Sequence, residues 1–317
     1  MLKLGGRRLQ ERLIVSNLGL LIGMIVLFSV ASPGFLSVRG IIAIQLTLVP
    51  ILLLAVGETF VLMARSFDLS IGSIYILTSV FTALFASQLG PVAILVGPAT
   101  GTIFGLMNGM VFKFGRIPSF IATLATMIIY QGVAQIVVTG QYYLFATEES
   151  FRAIAISFVA SVIPLMMVWA MILTVFFIFV ALKTKFGRVV YSIGANYEAT
   201  RFSGINVMKY QLAAFAISGF LAGVAGGLAA AQQGGASALP YPILLPAVAA
   251  ATIAGTPITG GAGGPHRALL GALMLAVLTT GLNVNAVETN LKTLIFGVVV
   301  IIAIYLTTDR RVVQLIK

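Results

Sequence analysis

Residues 40–64 read GIIAIQLTLVPILLLAVGETFVLMA, with one ionisable side chain, Glu58, in 25 positions. A helix rises 1.5 Å per residue, so about 20 apolar residues cross the ~30 Å hydrocarbon core of a bilayer. This stretch is long enough to span. Working outward, the same pattern recurs at 13–32, 73–89, 91–112, 118–138, 161–182, 210–233, 241–257, 268–285 and 291–308. The expectation is an all-α, polytopic membrane protein with about ten transmembrane helices. Segments 73–89 and 241–257 are short, 17 residues each, so each is a candidate for a tilted, broken or re-entrant helix.

The loops between these segments set an orientation. Sixteen of the 19 Lys and Arg residues fall on one side: Lys3, Arg7, Arg8, Arg12, Arg65, Lys113, Arg116, Lys183, Lys185, Arg188, Arg201, Lys209, Arg267, Arg310, Arg311 and Lys317. Arg39, Arg152 and Lys292 fall on the other. Cytoplasmic loops carry the excess of basic residues, so both termini are expected in the cytoplasm. The N-terminus resembles a signal peptide, but Leu13–Ala31 exceeds an h-region of about 7–15 residues and reads as a retained first helix. No separate soluble domain is expected in 1–317. The two longest loops are 139–160 outside and 183–209 inside.

Composition narrows the chemistry. The chain is 60% hydrophobic and 9% charged, with a net charge of +11. That charge sits in short loops, so it reads as the positive-inside signature and not as a nucleic-acid surface. There is no cysteine and only one histidine, His266, which excludes disulfides, thiol catalysis and a His-cluster metal site. His-Glu-x-x-His, Gly-x-Ser-x-Gly and the Gly-x-x-x-x-Gly-Lys phosphate loop are absent from the sequence. No cofactor is expected. Any ATP used must be hydrolysed by another chain.

Small residues mark close packing. Gly97, Gly101, Gly105 and Gly109 are four apart, about 400° on a helix, so they form one stripe. Gly219, Gly223 and Gly227 repeat it. Such stripes bring helix backbones together in lipid, either within one bundle or at a seam between two copies. Residues 240–265 hold five of the 11 prolines together with Gly255, Gly260, Gly261, Gly263 and Gly264. Irregular backbone at membrane depth survives where protein or a water-filled cavity satisfies it. The alternative is a plain loop with one kinked helix.

With only eight acids, each one near a span is informative. Glu58 lies within the second segment, and an ionisable group there should face an interior or a cavity. Thr47, eleven residues earlier, lies on nearly the same helical face. Asp68, in Phe67-Asp68-Leu69-Ser70-Ile71-Gly72, is placed to cap the third helix. These three, with Asn108, are the candidate translocation-pathway residues; Phe120, Tyr130, Gln131 and Gln135 are further groups suited to a polar solute. In the inner loop, Asn196 is a good N-cap, Glu198 sits in the first turn, and Gly204 suits the stop. A short helix with Tyr197, Arg201 and Phe202 exposed is expected there. Alone it is marginal in water, so it needs a surface: the membrane, the protein's own loops, or a partner.

Three stretches carry a resemblance. Residues 67–72 are similar to a Gly-Ile-Asp-Leu-Ser-Val-Gly motif. Asn108-Gly109 with 115–124 resembles Asn-Gly…Pro-x-Phe-Ile-x-Thr-Leu. Thr184–Arg188 through Ile193–Asn196 to Ser203–Val207 resembles an inner loop of the same proteins. The family is the permease subunits of bacterial ATP-binding-cassette (ABC) importers for monosaccharides, of the ribose, xylose and galactose type, kin to branched-chain amino-acid permeases. The resemblance covers roughly 40–310. It implies a type II ABC importer-like fold in the bacterial inner membrane. The helix of Asn196, Tyr197, Glu198, Arg201, Phe202 and Gly204 becomes the coupling helix that docks on a separate ABC ATPase. A second permease copy, as homodimer or heterodimer, and an extracytoplasmic solute-binding protein complete the implied assembly, which moves a sugar or similar small polar solute inward. The chain departs from the family pattern at Leu244–Ala250, which lacks two acids usual there, and at Ser66-Phe67, where Gly-Ile is usual. An ion- or proton-coupled secondary transporter using Glu58 is the alternative; an intramembrane enzyme is disfavoured by the missing nucleophile–base sets.

Overall fold

A computed structural model describes residues 2–298 and 301, apart from 139, 140, 142, 240, 241, 254, 289 and 293; for residues 2–14 it describes the backbone alone. The helices are α1 Leu2–Ala31, α2 Val38–Met63, α3 Ile71–Leu89, α4 Val96–Phe114, α5 Ser119–Val137, α6 Glu149–Ile156, α7 Leu165–Lys183, α8 Lys185–Ala195, α9 Tyr197–Phe202, α10 Val207–Gln233, α11 Leu244–Ile253 and α12 Pro265–Val284. Among the described residues, six stretches are long and apolar enough to cross a membrane, and Val15–Ala31 and α11 are shorter apolar helices. One of the six, Ile71–Phe114, has 44 residues, about 66 Å if straight and twice the bilayer core. It does not run straight through. A 3-10 turn at Gly90–Leu95 separates α3 from α4, and both pack against α10. The tenth expected segment, 291–308, lies mostly outside the described residues.

α2 is the centre. It is apolar on every face, and all its residues from Ile51 to Met63 are buried, as expected of a helix with no polar side to offer. α7, α10, α11 and α12 surround it. The outward faces of α4, α5 and α7 remain apolar, with Ile103, Ile128, Ile136, Val175 and Phe179 exposed. In water so broad an apolar belt is unfavourable; in a bilayer it meets lipid.

The glycine stripes zip together within one chain. A Cβ on Gly97 would overlap the carbonyl oxygen of Gly223, one on Gly101 that of Gly219, and one on Gly105 that of Phe215. Numbers rise on α4 as they fall on α10, so the two helices are antiparallel. The alternative of a seam between copies is therefore corrected for this pair of stripes.

The region 241–257 is not one continuous spanning helix. α11 has ten residues, about 15 Å, half the bilayer core. The extended chain before it is tied at Ala238, whose carbonyl accepts from Gln131 Nε2. The carbonyl of Ile253, at the end of α11, accepts from buried Asn17 Nδ2 of α1 at 2.9 Å. A broken helix at depth leaves backbone groups that water cannot reach, and side chains from α1 and α5 supply the missing partners. The outer loop also holds more than a connector needs. α6 lies in it, and Leu144–Phe145 pairs antiparallel with Gly235–Ala236.

Candidate functional site

The turn between α2 and α3 is non-helical backbone, buried at Ser66, Asp68 and Ser70, and side chains from α2 and α5 take its N–H groups. Phe67 N–H donates to Ser119 Oγ (3.0 Å), Asp68 N–H to Glu58 Oε1 (3.3 Å) and Leu69 N–H to Thr123 Oγ1 (3.0 Å). Ser70 N–H donates to Asp68 Oδ1 at 3.0 Å. Backbone at this depth requires such partners. The stretches 67–72 and 115–124, read separately in the sequence, are thus one unit. Ser119 and Thr123 sit one helical turn apart on the face of α5 that meets the turn.

Asp68 collects hydrogen bonds. Its Oδ1 also accepts from Ser70 Oγ (2.6 Å), and its Oδ2 accepts from Ser218 Oγ of α10 (3.1 Å). Asn108 Nδ2 of α4 donates to Ser70 Oγ, and Tyr130 OH of α5 donates to Asn108 Oδ1 at 2.9 Å. The donors run in one direction, Tyr130 to Asn108 to Ser70 to Asp68, which polarises each bond by the next. Asp68 does not cap α3. The N-cap position is Ser70, and Asp68 closes an Asx-turn two residues ahead of it, since its backbone is committed to the turn.

Glu58, Asp68 and Asn108 are all fully buried in this node. Glu58 Oε2 has no hydrogen-bond partner among the described residues. Thr47 stands apart, about 16 Å further along α2, where it is bonded to Thr280 of α12 at 3.3 Å. Ser119, Thr123 and Ser218 were not singled out from the sequence. The first two lie in the 115–124 motif, but nothing in that motif says which loop they serve.

The second feature is the inner loop. α8 and α9 are joined by Asn196 alone. Its N–H donates to Ser192 O (2.9 Å), ending α8, and its Oδ1 accepts from Ala199 N–H (2.9 Å), capping α9. Gly204 follows at φ +77°, the left-handed stop that a β-carbon would strain. Arg201 and Glu198 pair at 3.7 Å on the exposed face. The expectation that Tyr197 is exposed is corrected. Its ring is half-buried on a small cluster of Val189, Ile193 and Val207, with Lys113 Nζ 5.6 Å from its centroid. That cluster gives so short a helix something to pack on. Phe202 is left 83% exposed.

The family model described as branched-chain amino acid transport system, permease component, matches residues 40–304. The chain belongs to this permease family. It is 31% identical to the ribose import permease of Haemophilus influenzae over 294 residues, covering 90% of each chain. It is 32% identical to the ribose import permease of Bacillus subtilis over 307 residues, covering 93% of this chain and 91% of that one. It is 29% identical to the xylose transport system permease of H. influenzae, covering 90% and 93%. No solved structure matches the chain. The permease is thus a multi-pass membrane protein and a transport subunit, not an enzyme. Its node holds backbone in place by hydrogen bonds, and α9 lies outside the spanning helices, capped, seated on α8 and the start of α10, with Phe202 uncovered.

Proposed function

We propose that this permease is the membrane subunit of an ATP-driven ABC importer of the inner membrane, passing a pentose such as ribose or xylose, or a similar small polar solute, into the cytoplasm. The observation that carries the reading is α9. It is capped at both ends, lies outside the spanning helices and presents an aromatic side chain that its own fold leaves uncovered. A coupling helix for a separate ATPase requires such an element. The names of the ribose and xylose relatives support the solute class. A second permease copy and an extracytoplasmic solute-binding protein complete the proposed assembly. Ten crossings with both termini cytoplasmic are the reading that fits the distribution of basic residues, the eighth crossing being broken at α11 and not one continuous helix. Cysteines introduced one at a time into this cysteine-free chain check that orientation. Ser150→Cys is expected to react with an impermeant reagent from outside and Thr184→Cys is not; the reverse pattern would overturn it.

The function is tested by uptake into vesicles that contain the permease, the ATPase and the binding protein of the same system. ATP-dependent uptake of ribose or xylose is expected. Uptake that follows an imposed ion or proton gradient and ignores ATP would sink the proposal in favour of a secondary transporter. Glu58, Asp68 and Asn108 are proposed to serve the pathway as the node that keeps α2, α4 and α5 in register, with Thr47 lining it further along α2. In the same vesicles Glu58→Gln is expected to slow uptake with little change in the amount of protein. The amide oxygen can still accept from Asp68 N–H. The amide nitrogen, placed where Oε2 now lacks a partner, would be a buried unmet donor worth about 1–3 kcal/mol. Uptake at the parent rate would leave Glu58 no more than a structural acceptor.

A further inference from the structure

α8 meets α2, α7 and α10 along its length, with Phe186 stacked on Tyr210, and its last turn reaches the bundle at a crowded place. Gly194, in its last turn, lies against the end of α2 and the loop that joins α11 to α12. A Cβ on Gly194 would overlap both Met63 O and Gly261 N. Gly261 N–H points at Met63 O (3.4 Å), and Tyr191 OH, one turn before Gly194, donates to Gly263 O at 2.7 Å. Burial pushes the Tyr191 phenol up, against the opposing effect of Arg267, so it stays protonated and a donor at neutral pH. The loop is itself held. Gly260, Gly261, Gly263 and Gly264 adopt positive φ, a path that side chains other than glycine resist, and Gly264 N–H donates to Thr256 Oγ1 of a fully buried Thr256. Its two ends are the broken helix α11 and the spanning helix α12.

We propose that Gly194 and Tyr191 form a joint that carries displacement of α9 through α8 into the 255–264 loop, and so into α11 and α12. The proposal rests on the reading of α9 as the coupling helix. Asn196 makes α8 and α9 a single unit. Backbone packed on backbone has no slack to absorb a shift, so a push on the unit arrives at the loop and not in a rearranged side chain. The broken helix is the element suited to receive it. Discontinuous helices of this kind form the substrate sites of many transporters, so a shift delivered to α11 acts where a pathway is expected to lie. Tyr191 acts here as a positioning residue: it contacts neither solute nor nucleotide, and its hydroxyl keeps the loop seated on α8.

Tyr191→Phe tests this, because the ring stays and only the hydroxyl is lost. The experiment uses the assembled permease and ATPase in vesicles, with ribose and xylose each supplied with the binding protein. Co-purification of the ATPase and basal hydrolysis are expected at parent levels. Stimulation of hydrolysis by the loaded binding protein is expected to fall about fivefold, equal to about 1 kcal/mol, one hydrogen bond's net worth, and uptake to fall with it. Gly194→Ala should abolish stimulation. Parent-level stimulation in Tyr191→Phe overturns the proposal. So does loss of co-purification in that variant, which would make Tyr191 an assembly residue. The double change Arg201→Ala, Phe202→Ala, run in parallel, reports separately on α9. If that pair keeps full co-purification and stimulation, the coupling reading fails, whatever Tyr191→Phe does.

Discussion

Arg201→Ala combined with Phe202→Ala is expected to strip the ATPase from the permease while leaving the membrane bundle folded. The two halves of that expectation have separate physical grounds. Phe202 is 83% exposed, and the Arg201–Glu198 pair lies open to water, where such pairs contribute little. Removing both side chains therefore costs the permease alone no more than about 0.5 kcal/mol each. The anchors that α9 needs for itself are elsewhere, in the Asn196 cap and in Tyr197 on its small apolar cluster. In a docked complex the balance reverses. Aromatic and arginine side chains at the centre of an interface are the ones whose removal costs about 2 kcal/mol or more, roughly thirtyfold in affinity for each. The measurement is recovery of the ATPase with affinity-purified permease, alongside solute-stimulated hydrolysis in vesicles. Undiminished recovery with undiminished stimulation would mean that α9 is a surface helix only.

The spans were legible in the sequence because a bilayer leaves few solutions for an apolar run. Expected boundaries of 40–64, 118–138 and 210–233 stand beside observed helices of Val38–Met63, Ser119–Val137 and Val207–Gln233. The misses have a common cause: what decided them lies far away in the chain. That 241–257 takes the broken alternative, and not the tilted one, shows only in distant partners such as Asn17, 236 residues earlier, which bonds the carbonyl at the end of α11. Glu58 and Asp68 stood out as acids in an apolar chain. That they share one buried node depends on Ser119, Thr123 and Ser218, polar residues with no periodic signature of their own. The glycine stripes were visible on both helices, but a stripe does not name its partner. α9 was read from local capping chemistry, which is sequence-near, and there the cap and stop agree with the structure. Only Tyr197 was misjudged, because its cover comes from α8 and from the start of α10.

Gly101→Ala is expected to cost the permease its fold, although it adds one methyl group. Lipid surrounds the bundle with a medium as apolar as the side chains, so α4 and α10 gain nothing from leaving it. What holds them is backbone contact: Gly97 on Gly223, Gly101 on Gly219, Gly105 on Phe215 and Gly219. The new methyl at Gly101 would overlap the Gly219 carbonyl oxygen and crowd Gly223 Cα at 2.8 Å. Neither is a flexible side chain that can swing away, so the helices must separate along the whole stripe. Overpacking a tight interior costs about 1–3 kcal/mol where neighbours can move, and backbone on both sides sets the cost at the upper end or above it. The separation would also loosen Asn108 on α4 and Ser218 on α10, both bonded into the node around Asp68. Gly132→Ala on α5 is the control, because no heavy atom lies within 4 Å of the Cβ it would add. The measurement is the yield of monodisperse detergent-extracted protein and its melting temperature. Gly132→Ala is expected to match the parent and Gly101→Ala to aggregate or melt well below it. If the two variants melt together at the parent temperature, α4 and α10 do not meet at this seam, and the antiparallel pairing of the two glycine stripes is wrong.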